Sequence, residues 1–312
     1  MDIQLNILLF FQNLRNPILN FIFLVFTIST EAPLLILITT IIYWCINKKC
    51  GQKILFAIIG NFVVNLGIKE FVKAPRPIGI KGLESLRVST AGGYSFPSAH
   101  TQTATTFWVS IMTIFKKRYL HLIGAVMVLG VGLSRLYLAV HWPIDVIAGW
   151  ILGIFFTVVF VKIFDYIDDN KNYILLVVLL IPFIIVAIFL NSPEYFEKIG
   201  IIVGFVFGYM VEDRFVKFNT DNNNKKINFS NKNKGSKNII FSRICRFLVG
   251  IVIIGMLYIG IKLFISMLIV TLNISDSTMS IIFMNFIKNT VVVFYGIAGA
   301  PALFKLLKLN WF

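Results

Sequence analysis

Between Pro17 and Ile46 the chain carries a single charged side chain, Glu31, and apolar runs of this kind recur along almost its whole length. Thirty residues of helix extend roughly 45 Å, against about 30 Å for the hydrocarbon core of a bilayer. One long span, tilted or broken near Ser29-Thr30-Glu31-Ala32-Pro33, fits this stretch better than two short ones. Further runs are expected to span near 54–68, 98–115, 119–139, 142–164, 173–190, 196–211, 245–271 and 281–304. Residues 2–14 read as a short helix on the membrane surface. With 58% hydrophobic residues, 14% charged and a mean hydropathy of +0.85, the chain has no soluble-domain pattern.

The sequence therefore predicts an all-α fold, a polytopic membrane helix bundle. A six-span core through residue 190 precedes additional transmembrane helices in 191–312, with a polar, disordered cytoplasmic loop over 212–242, where Asn and Lys dominate. A formal net charge of +15 could suit nucleic acid, but most of the 29 Lys and Arg lie in short segments between apolar runs. Membrane topology explains them, and no nucleic-acid partner is expected. If the turn Lys116-Lys117-Arg118 is cytoplasmic, the larger share of basic residues falls on that side. The polar ends of the second to fifth spans then face outward.

Those outward ends carry three polar clusters: Lys69 with Arg76-Pro77; Pro97-Ser98-Ala99-His100; and Ser134-Arg135 followed by His141 and Asp145. If Pro143 occupies the first turn of a helix, His141 and Asp145 stand four residues apart and can share a face. A carboxylate holding one imidazole nitrogen fixes the tautomer and leaves the other with a lone pair, as a nucleophile or base needs. Two histidines, one carboxylate and three cations in an apolar chain point to a phosphate-ester site. Glu31, an intramembrane carboxylate, reads either as a functional auxiliary or as a group at the water interface. Cys45, Cys50 and Cys245 are scattered and have no metal-ligand spacing.

Taken together, the clusters resemble the signatures of the type 2 phosphatidic acid phosphatase superfamily, which includes bacterial lipid phosphatases, glucose-6-phosphatase and the vanadium haloperoxidases. Lys69 to Arg76-Pro77, Pro97 to His100, and Ser134-Arg135 to His141 to Asp145 all keep that family's spacing, with Ala99 in place of a glycine. The resemblance implies a metal-independent phosphatase without cofactor. His141 would attack phosphorus to form a phosphohistidine, Asp145 would orient it, and His100 would serve as acid and then base. Lys69, Arg76, Arg135, Ser98 and the Ala99 amide would bind the phosphate oxygens. An alanine keeps that amide provided no positive φ is required.

The expected substrate is a lipid phosphate or isoprenoid diphosphate, met at headgroup level on the extracytoplasmic face of an integral membrane protein. The Asn, Ile and Lys bias points to a bacterial plasma membrane. Two other readings stand beside hydrolysis: a lipid phosphotransferase using the same intermediate, and a non-catalytic membrane binding or transport protein.

Overall fold

The computed structural model describes residues 2–220, 232–271 and 278–309. These residues are helical, with connecting loops, and fall into two compact units: residues 1–37 with 54–169, and residues 38–53 with 170–312. The segment 173–190, expected with the core, thus belongs to the second unit.

In the first unit, helix α1 (Asp2–Asn13) turns through 119° into α2 (Pro17–Ile28). Asn16 caps α2, its side chain accepting the Leu19 N–H at 2.9 Å, and Pro17 fills the first turn, where a missing N–H costs nothing. The chain breaks at Ser29–Glu31 before α3 (Ala32–Ile41), so the long run after Pro17 is indeed interrupted at the polar point. Helix α1 packs on the unit through its middle. Its Leu8 is fully buried among Leu83, Leu136, Ala139 and Val146. Gln4 accepts the Ile144 N–H, and Gln12 hydrogen-bonds Gly82 and Glu84.

Helices α4 (Lys48–Val72), α5 (Ala99–Phe115), α6 (Arg118–Tyr137) and α7 (Pro143–Asn170) complete this unit apart from the first residues of α4. They approach closely where side chains are small. A Cβ on Gly153 of α7 would lie 2.7 Å from the Thr105 Cβ of α5, and one on Gly60 of α4 would meet the Phe160 ring at 2.7 Å. Lipid gives no hydrophobic drive to helix pairing, so such close backbone packing and interhelical hydrogen bonds supply it. The hydrogen bonds run from Asn65 of α4 to Gln102 of α5 at 2.8 Å, from Gln102 to Asn61 at 2.9 Å, and from Asn61 to Thr157 of α7 at 3.3 Å. All four residues are buried.

The second unit contains a π-helical turn at Ile42–Ile46, the start of α4, α8 (Tyr173–Val178), α9 (Leu180–Leu190), α10 (Pro193–Val211), α11 (Lys232–Thr271), α12 (Thr278–Phe294) and α13 (Ala300–Leu306). Gly200, Gly204 and Gly208 form a stripe along α10, and α12 with the turn after it lies so close that a Cβ would strike Phe286 O, Thr290 O and the Ile297 side chain respectively. Residues 38–53 are tied in by Tyr43 Oη donating to Ile297 O at 2.6 Å and Trp44 Nε1 donating to Gly296 O at 3.2 Å. Fully buried Glu212 pairs with Lys48 at 2.7 Å and accepts from Gln52 at 3.1 Å and the Phe218 N–H at 2.8 Å.

The polar stretch expected as a disordered loop over 212–242 is ordered at both ends: Glu212–Val216 is a π turn and α11 runs from Lys232. Extending an existing apolar helix costs far less than nucleating one, so polar residues are drawn into α11. Residues 221–231 of that stretch lie outside the described residues. Among the described residues, six helices are long and apolar enough to cross a membrane, or seven if the bent α1–α2 pair counts as one span. Their outer faces are apolar and exposed, as at Phe21, Ile151 and Ile188. A protein with this surface belongs in lipid.

Candidate active site

The three sequence clusters meet at one end of the first unit. Pro143 opens α7, placing Asp145 in its first turn and His141 in the connection just before. His141 Nδ1 lies 3.3 Å from Asp145 Oδ2, and both residues are about 1% exposed. On the other side of the ring, His141 Nε2 lies 3.0 Å from Arg76 Nη1. A guanidinium nitrogen can only donate, so Nε2 is the acceptor and Nδ1 carries the proton. Burial, then the charges of Arg76, Arg135 and Lys69, hold the imidazole well below the ordinary histidine value near 6.5, although the Ser95 contact pulls the other way. The ring is neutral, with its lone pair on the side opposite the carboxylate.

Asp145 is held from several directions. Its Oδ2 accepts Ser95 Oγ–H at 2.5 Å and the Trp142 N–H at 2.8 Å, and its main-chain carbonyl accepts the Ser98 N–H at 3.0 Å. The last of these joins the start of α5 to the start of α7 through backbone alone. Ser98 precedes α5 as its N-cap residue, with Ala99 as the first helical residue. Ala99 is not among the residues with positive φ, so alanine fits this position without strain. His100, half-buried in the first turn of α5, lies within electrostatic reach of Arg135, His141, Arg76 and Arg87.

Two of the three cations, Arg76 and Lys69, are fixed by main-chain oxygens. Arg76 donates to Gly92 O at 2.7 Å, Gly93 O at 3.0 Å and Val140 O at 2.9 Å. Lys69, in the last turn of α4, donates to Tyr94 O and to Ser95 O, the latter at 3.4 Å. The helix ends at Val72 and Lys73 takes a left-handed backbone, φ 52°, so Lys73 does not continue the face of Lys69. Arg135 is wholly buried in α6. Its Nη1 donates to Thr27 Oγ1 of α2 at 2.5 Å, while Nε and Nη2 have no hydrogen-bond partner among the described residues. Buried guanidinium N–H groups left open are costly unless an anion fills the site.

Glu31 stands apart from the histidines. It pairs with Arg87 at 2.7 Å, each side chain about one-quarter exposed. Among the described residues no group of three or more His, Cys, Asp or Glu assembles that could hold a metal. Sequence reading overlooked Ser95, Thr27 and Arg87. Ser95 stands two residues before the Pro97-Ser98-Ala99-His100 cluster, which was its available signal; Thr27, lost in an apolar run, and Arg87, in a glycine-rich loop, had none.

Two family models match the chain: the PAP2 superfamily over residues 52–169, and the PAP2 superfamily phosphatase transmembrane extension over residues 196–311. An undecaprenyl-diphosphatase from Sulfolobus acidocaldarius is 32% identical over 109 residues, covering 34% of this chain and 52% of its own length. A lipid A 4'-phosphatase from Bacteroides thetaiotaomicron is 25% identical over 166 residues, covering 49% of this chain and 72% of its own. A sphingosine-1-phosphate phosphatase 1 from Mus musculus is 29% identical over 139 residues, covering 42% and 32%. The chain thus spans about half the length of the first of these relatives.

Proposed function

Because the chain belongs to the PAP2 superfamily, we propose that its first unit is a metal-independent lipid phosphatase working through a phosphohistidine. The observation that carries this reading is the neutral, buried His141, its Nδ1 toward Asp145 and its Nε2 lone pair toward Arg76. Incoming phosphate would take the Arg76 N–H groups in place of Nε2, freeing the lone pair in line with the departing oxygen. The N–P bond forms as the P–O bond breaks, and the electron pair leaves with the lipid alcohol or lipid phosphate. His100 protonates that oxygen, then takes a proton from the water that attacks phosphorus and breaks the N–P bond. Arg135, with two open N–H groups, and Lys69 would balance the charge on the equatorial oxygens. Ser98 and the Ala99 amide complete the cradle.

The excess of basic residues at the opposite helix ends supports an extracytoplasmic site, reached by a substrate whose phosphate sits at headgroup depth. A lipid phosphate or isoprenoid diphosphate has that shape. The test is phosphate release by detergent-purified protein, with EDTA present, across isoprenoid diphosphates, phosphatidic acid, phosphatidylglycerol phosphate and sphingoid phosphates. Release from one class is expected, with turnover abolished in His141→Ala and leaving-group departure slowed in His100→Ala while phosphate binding is largely kept. Near-normal turnover by the His141 variant would sink the mechanism.

A further inference from the structure

Arg87 is a cation outside the three clusters. It lies in the loop between α4 and α5 but is not loosely placed. The Leu86 N–H donates to Leu138 O at 2.9 Å, Ser85 Oγ donates to Ala139 O at 2.8 Å, and Arg87 O accepts the Thr90 hydroxyl at 3.1 Å. The first two bonds anchor this loop to the stretch that leads directly into His141. Its guanidinium is half used: Nη2 pairs with Glu31, while Nη1 is buried and has no hydrogen-bond partner among the described residues. Its partner Glu31 follows by four residues the Thr27 hydroxyl that Arg135 contacts, so the Arg87–Glu31 pair stands beside Arg135, and the Arg87 charge also reaches His100.

A phosphate monoester expels an alkoxide, which needs a proton and no second anion site. A diphosphate expels a phosphate monoester, whose charge grows as the bridging P–O bond breaks and whose oxygens call for a cation. We infer that Arg87 is the binding site for the second, lipid-linked phosphate, and that the enzyme acts on lipid diphosphates in preference to lipid monophosphates. In the step, the His141 Nε2–P bond forms at the terminal phosphorus and the bridging P–O bond breaks. Its electron pair goes to the departing lipid monophosphate, held by Arg87 Nη1 and Nη2. Glu31 occupies Nη2 in the meantime and keeps the guanidinium aimed, a positioning role that accounts for a carboxylate at the break between α2 and α3.

This inference rests on the phosphatase reading but fails separately from it. The experiment compares one isoprenoid chain carrying either a diphosphate or a monophosphate, with wild-type protein, Arg87→Gln and Arg87→Lys. Wild type should favour the diphosphate in kcat/KM. Arg87→Gln should lose about 10- to 100-fold on the diphosphate, the effect of one charged hydrogen bond, and less than about 3-fold on the monophosphate. Arg87→Lys should recover part of the diphosphate rate, since it restores charge without the fork. The monophosphate rate certifies that each variant is folded. Equal losses on both substrates, or no loss on either, would overturn the assignment of Arg87. Absence of turnover on either substrate by wild type would overturn the phosphatase reading itself.

Discussion

At the scale of single residues, the proposed chemistry turns on how His141 is kept neutral. Burial is the main cause and the Arg76 charge comes next, so proton binding in the folded state is postponed to pH well below 6.5. In terms of stability, the unfolded chain takes up a proton near 6.5 that the folded chain refuses. This residue therefore costs nothing above that pH and destabilises the fold progressively as pH falls through it. For the proposed activity the sign is opposite in consequence: the imidazole lone pair stays available into the acid range. The acid limb of kcat/KM assigned to His141 should lie below 6.5, and in Arg76→Gln it should move up toward 6.5 as the repelling charge is lost. A profile measured on a substrate whose own ionisations are known separately checks this; a limb unmoved in the variant would assign it to another group. The residues of the three clusters were legible as a group because their spacing resembles the family's signatures. Thr27 was not: it acts through one hydroxyl contact inside an apolar segment, and a hydroxyl there has no pattern to distinguish it from ordinary packing.

At the scale of elements, helix pairing is decided by where side chains are missing. Gly200, Gly204 and Gly208 recur every fourth residue along one face of α10, and a Cβ at Gly204 would collide with the Thr290 carbonyl. A carbonyl in a helix cannot move aside as a flexible side chain can. Gly204→Val should therefore force α10 and α12 apart and lower the thermal midpoint of the detergent-solubilised protein by an amount matching about 1–3 kcal/mol or more. Gly255→Ala, where nothing lies within 4 Å, should leave it nearly unchanged. Differential scanning fluorimetry on both variants makes the comparison. The stripe was present in the sequence as a four-residue repeat of glycine, yet a run of apolar residues conceals which face each glycine occupies until its partner helix is known. Likewise, apolar length located most helices, but not the packing of α1. Leu8 packs against Leu83 and Leu136, residues that lie beyond α4 and near the end of α6, and contacts so distant in sequence leave no local trace.

At the scale of the whole molecule, each unit carries its own buried polar centre, and the second unit's centre is Glu212. Replacing it with alanine would strand Lys48, Gln52 and the Phe218 N–H at once. Breaking a buried pair from one side costs about 3–5 kcal/mol, toward the lower end here because the Lys48 side chain is 21% exposed. Glu212→Ala should thus melt well below wild type, whereas Glu84→Ala, at a 74% exposed side chain paired at 3.7 Å, should not. Two similar midpoints would mean that Glu212 contributes little. The sequence located this unit's apolar runs but not its extent, since nothing in residues 38–53 distinguishes them from their neighbours. Their membership in the second unit has a temporal side. Tyr43 is synthesised 254 residues ahead of the carbonyl that its hydroxyl will meet, and Gln52 precedes Glu212 by 160. At about 5–20 residues per second, the phenol waits for roughly 10 to 50 s inside the nascent membrane protein with its eventual partner not yet made. The ribosome thus finishes every residue of the first unit before the second unit's later helices exist to pack on residues 38–53.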